Sequence, residues 1–424
     1  RWVCLPASVK VNHPRLNAKV EEIRAAFEAE FGKYNYEVPS KKKSVLGIVA
    51  SGVCFSVVSD ILKGWGREDV SVLKIGTPHP LPVKMVTDFI SRHPKVLFLE
   101  ETYPVMEMQL PDRTGILGRW NGIVPGAGEL LPEVIADILA KILGMDHPAG
   151  EGSPLLREAL EGLKITPRKP MLCPGCPHRA SYFSIRQALP NAVNPSDIGC
   201  YTLGVNQKAV DAVMDMGASV TMGSGFWLAH KAAGTERPIV STIGDSTFFH
   251  MGIPGLVSAV YNRHAIVLGI LDNSTTAMTG GQANPAVGDK LRKGDEGRKV
   301  DIEAVCRGCG VSFVRTIEAY DVAAGKEAVK EAWEHAKSRS EPAVIIFRHP
   351  CMLLRPQQPV VQVKVDPEKC IGCKFCINFF NCPGLVFDEK LGKAYIDDRF
   401  CVSCGVCISV CPHGAIGEVS GEGD

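Results

Sequence analysis

Short apolar runs recur along the chain, each ended by a turn and followed by an amphipathic stretch. Val45-Leu46-Gly47-Ile48-Val49-Ala50, Val70-Ser71-Val72-Leu73-Lys74-Ile75 and Lys95-Val96-Leu97-Phe98-Leu99-Glu100 read as buried strands. Helical patterns separate them, one through Val57, Val58, Ile61 and Leu62 and one from Pro82 to Ile90. This βαβαβ order predicts a parallel sheet with right-handed crossovers over residues 44–145, closed by a helix from Leu130 to Leu143. Ahead of it, Leu16, Val20, Ile23, Phe27 and Phe31 repeat at helical spacing, and Pro39 and three lysines follow. Residues 1–43 therefore read as a helical tether or linker. Residues 146–169, rich in proline and glycine, read as a second linker with one short helix near Leu155–Leu163.

The strand–helix pattern returns over residues 170–355. Pro238 to Ile243 and Ala265 to Leu271 are strands, Ile253 to Tyr261 is the crossover helix between them, and Ala343 to Arg348 is the last strand. Polar residues stand at the carboxyl ends of both central strands, where open α/β sheets place their ligands. After the first comes Gly244-Asp245-Ser246. After the second comes Asp272-Asn273-Ser274-Thr275-Thr276-Ala277-Met278-Thr279-Gly280-Gly281-Gln282. The fold class is thus α/β, with two parallel domains. Ser51-Gly52-Val53 lacks the rest of a dinucleotide fingerprint, and Glu100-Glu101 reads as a solvated or interfacial pair.

Residues 356–424 follow a different rule. Cys370-x2-Cys373-x2-Cys376 recurs as Cys401-x2-Cys404-x2-Cys407, and Cys382-Pro383 and Cys411-Pro412 close the two halves. The second run matches the bacterial ferredoxin spacing, in which the fourth cysteine serves the other cluster. One [4Fe–4S] cluster is then expected on Cys370, Cys373, Cys376 and Cys411, the other on Cys401, Cys404, Cys407 and Cys382. The first run departs from the rule, with five residues before Cys382 instead of three. A module this small needs such staples.

Composition narrows the classes. With 16 cysteines in a chain of this size and this spacing, a reducing cytoplasm fits better than disulfides. A net charge of +1 argues for neither nucleic acid nor an anionic membrane. No apolar run approaches the ~20 residues of a membrane span. Residue 1 is Arg and no signal peptide follows, so the chain reads as a fragment or one product of a processed or split gene.

The paired strand ends resemble the thiamine-diphosphate motif, a Gly-Asp turn followed by an Asn after a crossover. That resemblance implies Mg²⁺ on Asp245, the Asn273 side chain and the Thr275 carbonyl. It implies diphosphate and thiamine contacts from Gly244, Ser246, Met278, Thr279 and, in a loop at Thr221–Gly225, Gly223. More broadly, Leu172-Cys173-Pro174-Gly175-Cys176-Pro177-His178-Arg179, Gly244 to His250 and Leu271 to Gln282 resemble indolepyruvate:ferredoxin oxidoreductases, alpha subunit. The domain at 44–145 resembles the carboxyl-terminal domain of transketolases. In this superfamily Cys173, Cys176, Cys200 and Cys351 would hold a third cluster near thiamine. Read from the residues alone, they serve equally as buried thiols. The pair Cys306 and Cys309 reads as core.

The resemblance implies oxidative decarboxylation of an arylpyruvate with CoA, electrons passing to ferredoxin. It also implies a smaller beta subunit, a hetero-oligomer, and a pyrimidine-binding domain or chain upstream of Arg1 that supplies the activating glutamate. His178, Arg179 and His250 are candidates for substrate carboxylate contact or proton transfer, roles a structural hydrogen-bonder would also fit. Another 2-oxoacid, pyruvate or 2-oxoglutarate, and a non-catalytic electron-transfer subunit stay open at this point.

Overall fold

The structure is a computed structural model that describes residues 4–30, 32–145, 163, 169–288, 297–354 and 361–419. It forms two compact units, residues 1–166 and 167–424. The helix expected near Leu155–Leu163 falls outside the described residues.

The first unit is built on a five-stranded sheet of order β1-β3-β2-β4-β5. These are β1 (Tyr36–Val38), β2 (Leu46–Ser51), β3 (Val70–Ile75), β4 (Val96–Leu99) and β5 (Ile116–Leu117). Strands β2 to β5 are parallel. Alternate residues split between two cores. Leu46, Ile48, Ala50, Leu97 and Leu99 pack under α2 (Gly52–Gly64) and α5 (Pro132–Leu143). Val49, Val96 and Phe98 pack under α3 (Val83–Ser91). That division is the period-2 rule of a sheet covered on both faces.

Two differences from the sequence reading concern the ends of this sheet. Residues 1–43 are not only a helical tether. α1 (Pro6–Ala29) is helical, but Tyr36–Val38 pairs antiparallel with β3 and closes the edge. In the pair Glu100-Glu101 only Glu101 is solvated. Glu100 is 2% exposed and accepts the backbone N–H of Met106 (2.8 Å) and Glu107 (3.2 Å), capping α4 (Val105–Met108). Glu101 accepts the N–H of Leu130 at 2.6 Å.

The second unit holds a four-stranded, all-parallel sheet of order β10-β11-β9-β8. Here β8 is Val240–Gly244, β9 Val267–Asp272, β10 Phe313–Glu318 and β11 Ala343–Arg348. One face carries α6 (Pro177–Ala188) and α10 (Val322–Arg339), the other α7 (Ala218–Ala232) and α8 (Ile253–Tyr261). Short strands β6 (Pro195–Ser196) and β7 (Ala212–Val213) pair beside β8, and α9 (Ile302–Gly308) precedes β10.

The cysteine-rich module packs against α6. Two antiparallel pairs frame it, β12 (Val363–Val365) with β15 (Ile416–Glu418) and β13 (Leu385–Asp388) with β14 (Lys393–Ile396). Its core includes Ala180 and Phe183 of α6. The irregular first cysteine run has a purpose here. Its extra residues wind Cys376–Phe380 into a π turn that ends at Asn381 with φ +55°. The turn sets Phe380 edge-on to Phe183, 5.7 Å between centroids. The longer loop therefore docks the module. No described helix is long and apolar enough to cross a membrane.

Candidate cofactor and cluster sites

β8 and β9 end side by side, so Gly244-Asp245 and Asn273 share one cleft of about 520 Å³. Ser246, Thr275, Met278 and Thr279 line it too, as do His178, Cys200 and Tyr201. Asp245 is 2% exposed. One carboxylate oxygen accepts its neighbour Ser246 N–H (2.8 Å), the other the Asn284 amide (3.1 Å). Burial, then the Asp272 charge, pushes the Asp245 carboxyl up to about 7. A buried acid beside a second carboxylate and with no cationic hydrogen-bond partner is what a divalent cation would relieve. Asp272 itself is held by Arg348 Nε at 2.7 Å and by the Ser274 N–H. The loop after Asn273 is closed by the Thr276 N–H on the Gln282 carbonyl (2.9 Å), with Gly280 and Gly281 at φ +121° and +77°. Thr-Gly-Gly-Gln is therefore a hairpin closure that holds Thr275 inward.

Sequence reasoning missed Asp197 and Tyr201. Tyr201 lies over the Gly244-Asp245 turn: a Cβ on Gly244 would stand 2.6 Å from its ring, and one on Gly199 2.3 Å. Its hydroxyl donates to Asp197, which is fully buried and also accepts the Gly217 N–H at 2.9 Å. Burial pushes the Asp197 carboxyl up to about 6. Glycines before Cys200 and Asp245 were the available signal, since both leave room for one ring.

Three expected site residues lie elsewhere. Gly223 is not in a loop over the cofactor. It sits inside α7, where a Cβ would come 2.1 Å from Ser241 Oγ, so it lets the helix close on β8. His250 is exposed on the π turn Phe248–Gly252 and does not line the cleft. Arg179 points away from the cleft, into the docked module, and bonds main-chain carbonyls of Leu172, Cys173, Phe380 and Asn381. His178 does line the cleft, 3% exposed and edge-on to Tyr201 at 5.9 Å. Burial drives its imidazole down to about 4, so it is neutral at pH 7.

The cysteines gather in three rings. Cys173 and Cys176 join Cys200 and Cys351, both distant from them in sequence, in lining one cavity. His178, Cys200, Asn273, Ala277 and Met278 form walls of both this cavity and the cleft. The Cys351 N–H donates to the Asn273 carbonyl at 2.9 Å. In the module, Cys370, Cys373, Cys376 and Cys411 line one small pocket. Cys382, Cys401, Cys404 and Cys407 line another. Pro174 and Gly175 are part of that second wall. Gly175 has φ +67°, and a Cβ there would meet Val402 at 2.6 Å. Among the described residues no three His, Cys, Asp or Glu side chains converge on a point that would hold one ion. Rings of four separated thiols instead suit a polynuclear group, each thiolate meeting a different iron. Burial holds the Cys176, Cys200, Cys376, Cys404 and Cys407 thiols protonated without such a partner. Cys176 is pushed up to about 12 and Cys376 to about 11. Cys306 and Cys309 lie in and against the core under β10, with the Cys306 thiol pushed up to about 12.

Comparison with known proteins agrees with this division. Residues 197–347 match the thiamine pyrophosphate enzyme C-terminal TPP binding domain, and residues 362–412 the 4Fe-4S dicluster domain. Indolepyruvate oxidoreductase subunit IorA of Thermococcus kodakarensis is 37% identical over 100% of this chain and 68% of its own length. The subunit of the same name from Methanothermobacter marburgensis is 38% identical over 98% of this chain and 66% of its own. The chain thus spans about two thirds of the length of these relatives. A solved 2-oxoglutarate:ferredoxin oxidoreductase from Magnetococcus marinus aligns at 16% identity, with a TM-score of 0.35, over 45% of this chain and 66% of its own, too distant to carry an argument. With thiamine-diphosphate and dicluster domains in this order and similarity at this level along the whole of this chain, the chain belongs to the family of indolepyruvate oxidoreductase subunit IorA.

Proposed function

We propose that this chain is the diphosphate-binding and electron-transfer part of a 2-oxoacid:ferredoxin oxidoreductase acting on arylpyruvates of the indolepyruvate type. The overall change is oxidative: a 2-oxoacid anion and CoA thiol give the acyl thioester, CO2 and one proton, and two electrons leave to two ferredoxins. Thiamine diphosphate would supply the electron sink for loss of CO2, and [4Fe–4S] clusters would take the electrons one at a time.

The chain's own residues divide the work. Asp245, Asn273 and the Thr275 carbonyl would hold Mg²⁺, and the N–H groups after Gly244 would meet the diphosphate. Tyr201 and Thr247 exclude water beside them, both being buried in the cleft wall. His178, neutral and buried, can donate or accept one hydrogen bond without bringing charge to the reacting end. The cysteines Cys173, Cys176, Cys200 and Cys351 would hold the cluster nearest the cleft. Cys382 with Cys401, Cys404 and Cys407 would hold the next, and Cys370, Cys373, Cys376 and Cys411 the outermost.

One observation carries this reading: the four-cysteine cavity and the cofactor cleft share a wall. A decarboxylase needs only the cleft, and an electron-transfer subunit only the rings. The partners proposed are a pyrimidine-binding domain, a smaller beta subunit and ferredoxin, in a cytoplasmic hetero-oligomer. The arylpyruvate preference is supported by the printed names of the relatives. Anoxic profiling of the completed complex tests it. Indolepyruvate should give the highest kcat/KM; preference for pyruvate or 2-oxoglutarate would sink the substrate assignment.

A further inference from the structure

Arg179 stands in the first turn of α6 with its side chain 2% exposed. All its hydrogen bonds run to main-chain carbonyls. Two acceptors, Leu172 and Cys173, belong to the segment that carries the first ring. The others, Phe380 at 3.1 Å and Asn381, immediately precede Cys382 of the second. Its Nε has no hydrogen-bond partner, and no ion pair of the described residues includes it. The two segments its guanidinium joins carry Cys173 and Cys176 on one side and Cys382 on the other, so thiolates of both rings would flank it. A guanidinium buried this deeply without a carboxylate is unfavourable on its own. It becomes favourable where negative charge arrives on both sides.

We propose that Arg179 is a countercharge shared by two iron–sulfur clusters, the one on Cys173, Cys176, Cys200 and Cys351 and the one on Cys382, Cys401, Cys404 and Cys407. The proposal rests on the function proposed above, in which both rings hold clusters. Reducing a cluster adds one electron and releases no atom, so the whole added charge must be accommodated by the surroundings. A fixed cation in a dry environment stabilises the reduced form and raises the potential. Arg179 does so for both neighbours at once, which keeps an electron from being trapped on either. The main-chain carbonyls it bonds include Cys173 itself and Asn381, next to Cys382, and none belongs to Cys370, Cys373, Cys376 or Cys411. Arg179 touches no substrate; it is a positioning and tuning residue.

The test compares Arg179→Gln and Arg179→Lys with wild type in the completed complex, purified without oxygen. The readouts are iron content and midpoint potentials from a titration followed by electron paramagnetic resonance. Arg179→Gln is expected to keep its iron and to shift two clusters to more negative potentials, the outermost staying in place. Arg179→Lys, which keeps the charge, is expected to stay near wild type. Unchanged potentials in Arg179→Gln at full iron content overturn the proposal. Should Arg179→Gln lose iron, Arg179→Lys decides. Iron and potentials retained there support the countercharge. Iron lost there too, or potentials moved, overturns it in favour of a hydrogen-bonding role alone. A wild-type complex with about 8 iron atoms per chain rather than about 12 would instead remove the first-ring cluster and the function reading with it.

Discussion

Gly175 is the residue whose replacement should report most clearly on the contact between the first cysteine ring and the module. It holds φ +67°, and a Cβ would lie 2.6 Å from Val402 Cγ2 and 3.1 Å from Met352 Cγ. Gly175→Ala therefore meets two penalties. A non-glycine residue in the left-handed region costs about 1–2 kcal/mol. A methyl forced into filled space costs about 1–3 kcal/mol. Together they amount to about 2–5 kcal/mol, a large part of the 5–15 kcal/mol typical of a domain. Gly392→Ala separates the two, because Gly392 has φ +65° and nothing within 4 Å of its Cβ position. It should lose only about 1–2 kcal/mol. Val402→Ala in the Gly175→Ala background should return the packing part. Denaturant unfolding of the cluster-loaded protein, without oxygen, measures all four. Equal losses at Gly175 and Gly392, or no coupling between Gly175 and Val402, would refute the close approach.

Three further outcomes follow from the same geometry. Asp245→Ala should weaken Mg²⁺-diphosphate binding by about 100-fold or more in the completed complex, since even outer-sphere partners of metal ligands give 10–100-fold. Calorimetric titration checks it, and a change within about 3-fold would exclude Asp245 as ligand. Burial raises the Asp197 carboxyl from 3.8 to about 6, so the folded chain binds more protons between those values. Stability should therefore fall as pH rises from about 4 to about 6, by up to about 3 kcal/mol, and then level off; Asp197→Asn should flatten that slope. A slope that survives in Asp197→Asn would assign it to another group. Finally, Cys382→Ala with Cys401→Ala should lose no more iron than either alone, about 4 atoms, whereas Cys382→Ala with Cys370→Ala should lose about twice that. The reverse pattern would mean that each run keeps its own fourth cysteine.

Much of the fold could be read because buried parallel strands are apolar on both faces. Ala343–Arg348 and the crossover helix Ile253–Tyr261 end where the pattern ends. β1 could not be read this way, being three residues long with alternating exposure on an edge. The cysteine repeat was legible because its ligand spacing is local. By contrast, Cys200 and Cys351 join Cys173 only through the sheet. Gly223 misled because Gly-Ser-Gly resembles a loop until Ser241 of β8 is seen facing it. Arg179 lay beside a motif histidine, but its partners Phe380 and Asn381 lie about two hundred residues later in the chain. Asp197 and Tyr201 carry no spacing signal beyond the glycines Gly199 and Gly244, whose meaning shows only once the Tyr201 ring is seen packed against both.

The central claim is that electrons leave the cleft through the ring that shares its wall. Cys173 lines that ring and not the cleft, so Cys173→Ala should break the route while sparing the cofactor. The completed complex is mixed with indolepyruvate without oxygen, freeze-quenched, and the module clusters are followed by electron paramagnetic resonance. In wild type they should be reduced within one turnover. In Cys173→Ala they should still accept electrons from a chemical reductant but not from the 2-oxoacid. Reduction by indolepyruvate at the wild-type rate in Cys173→Ala would contradict the account.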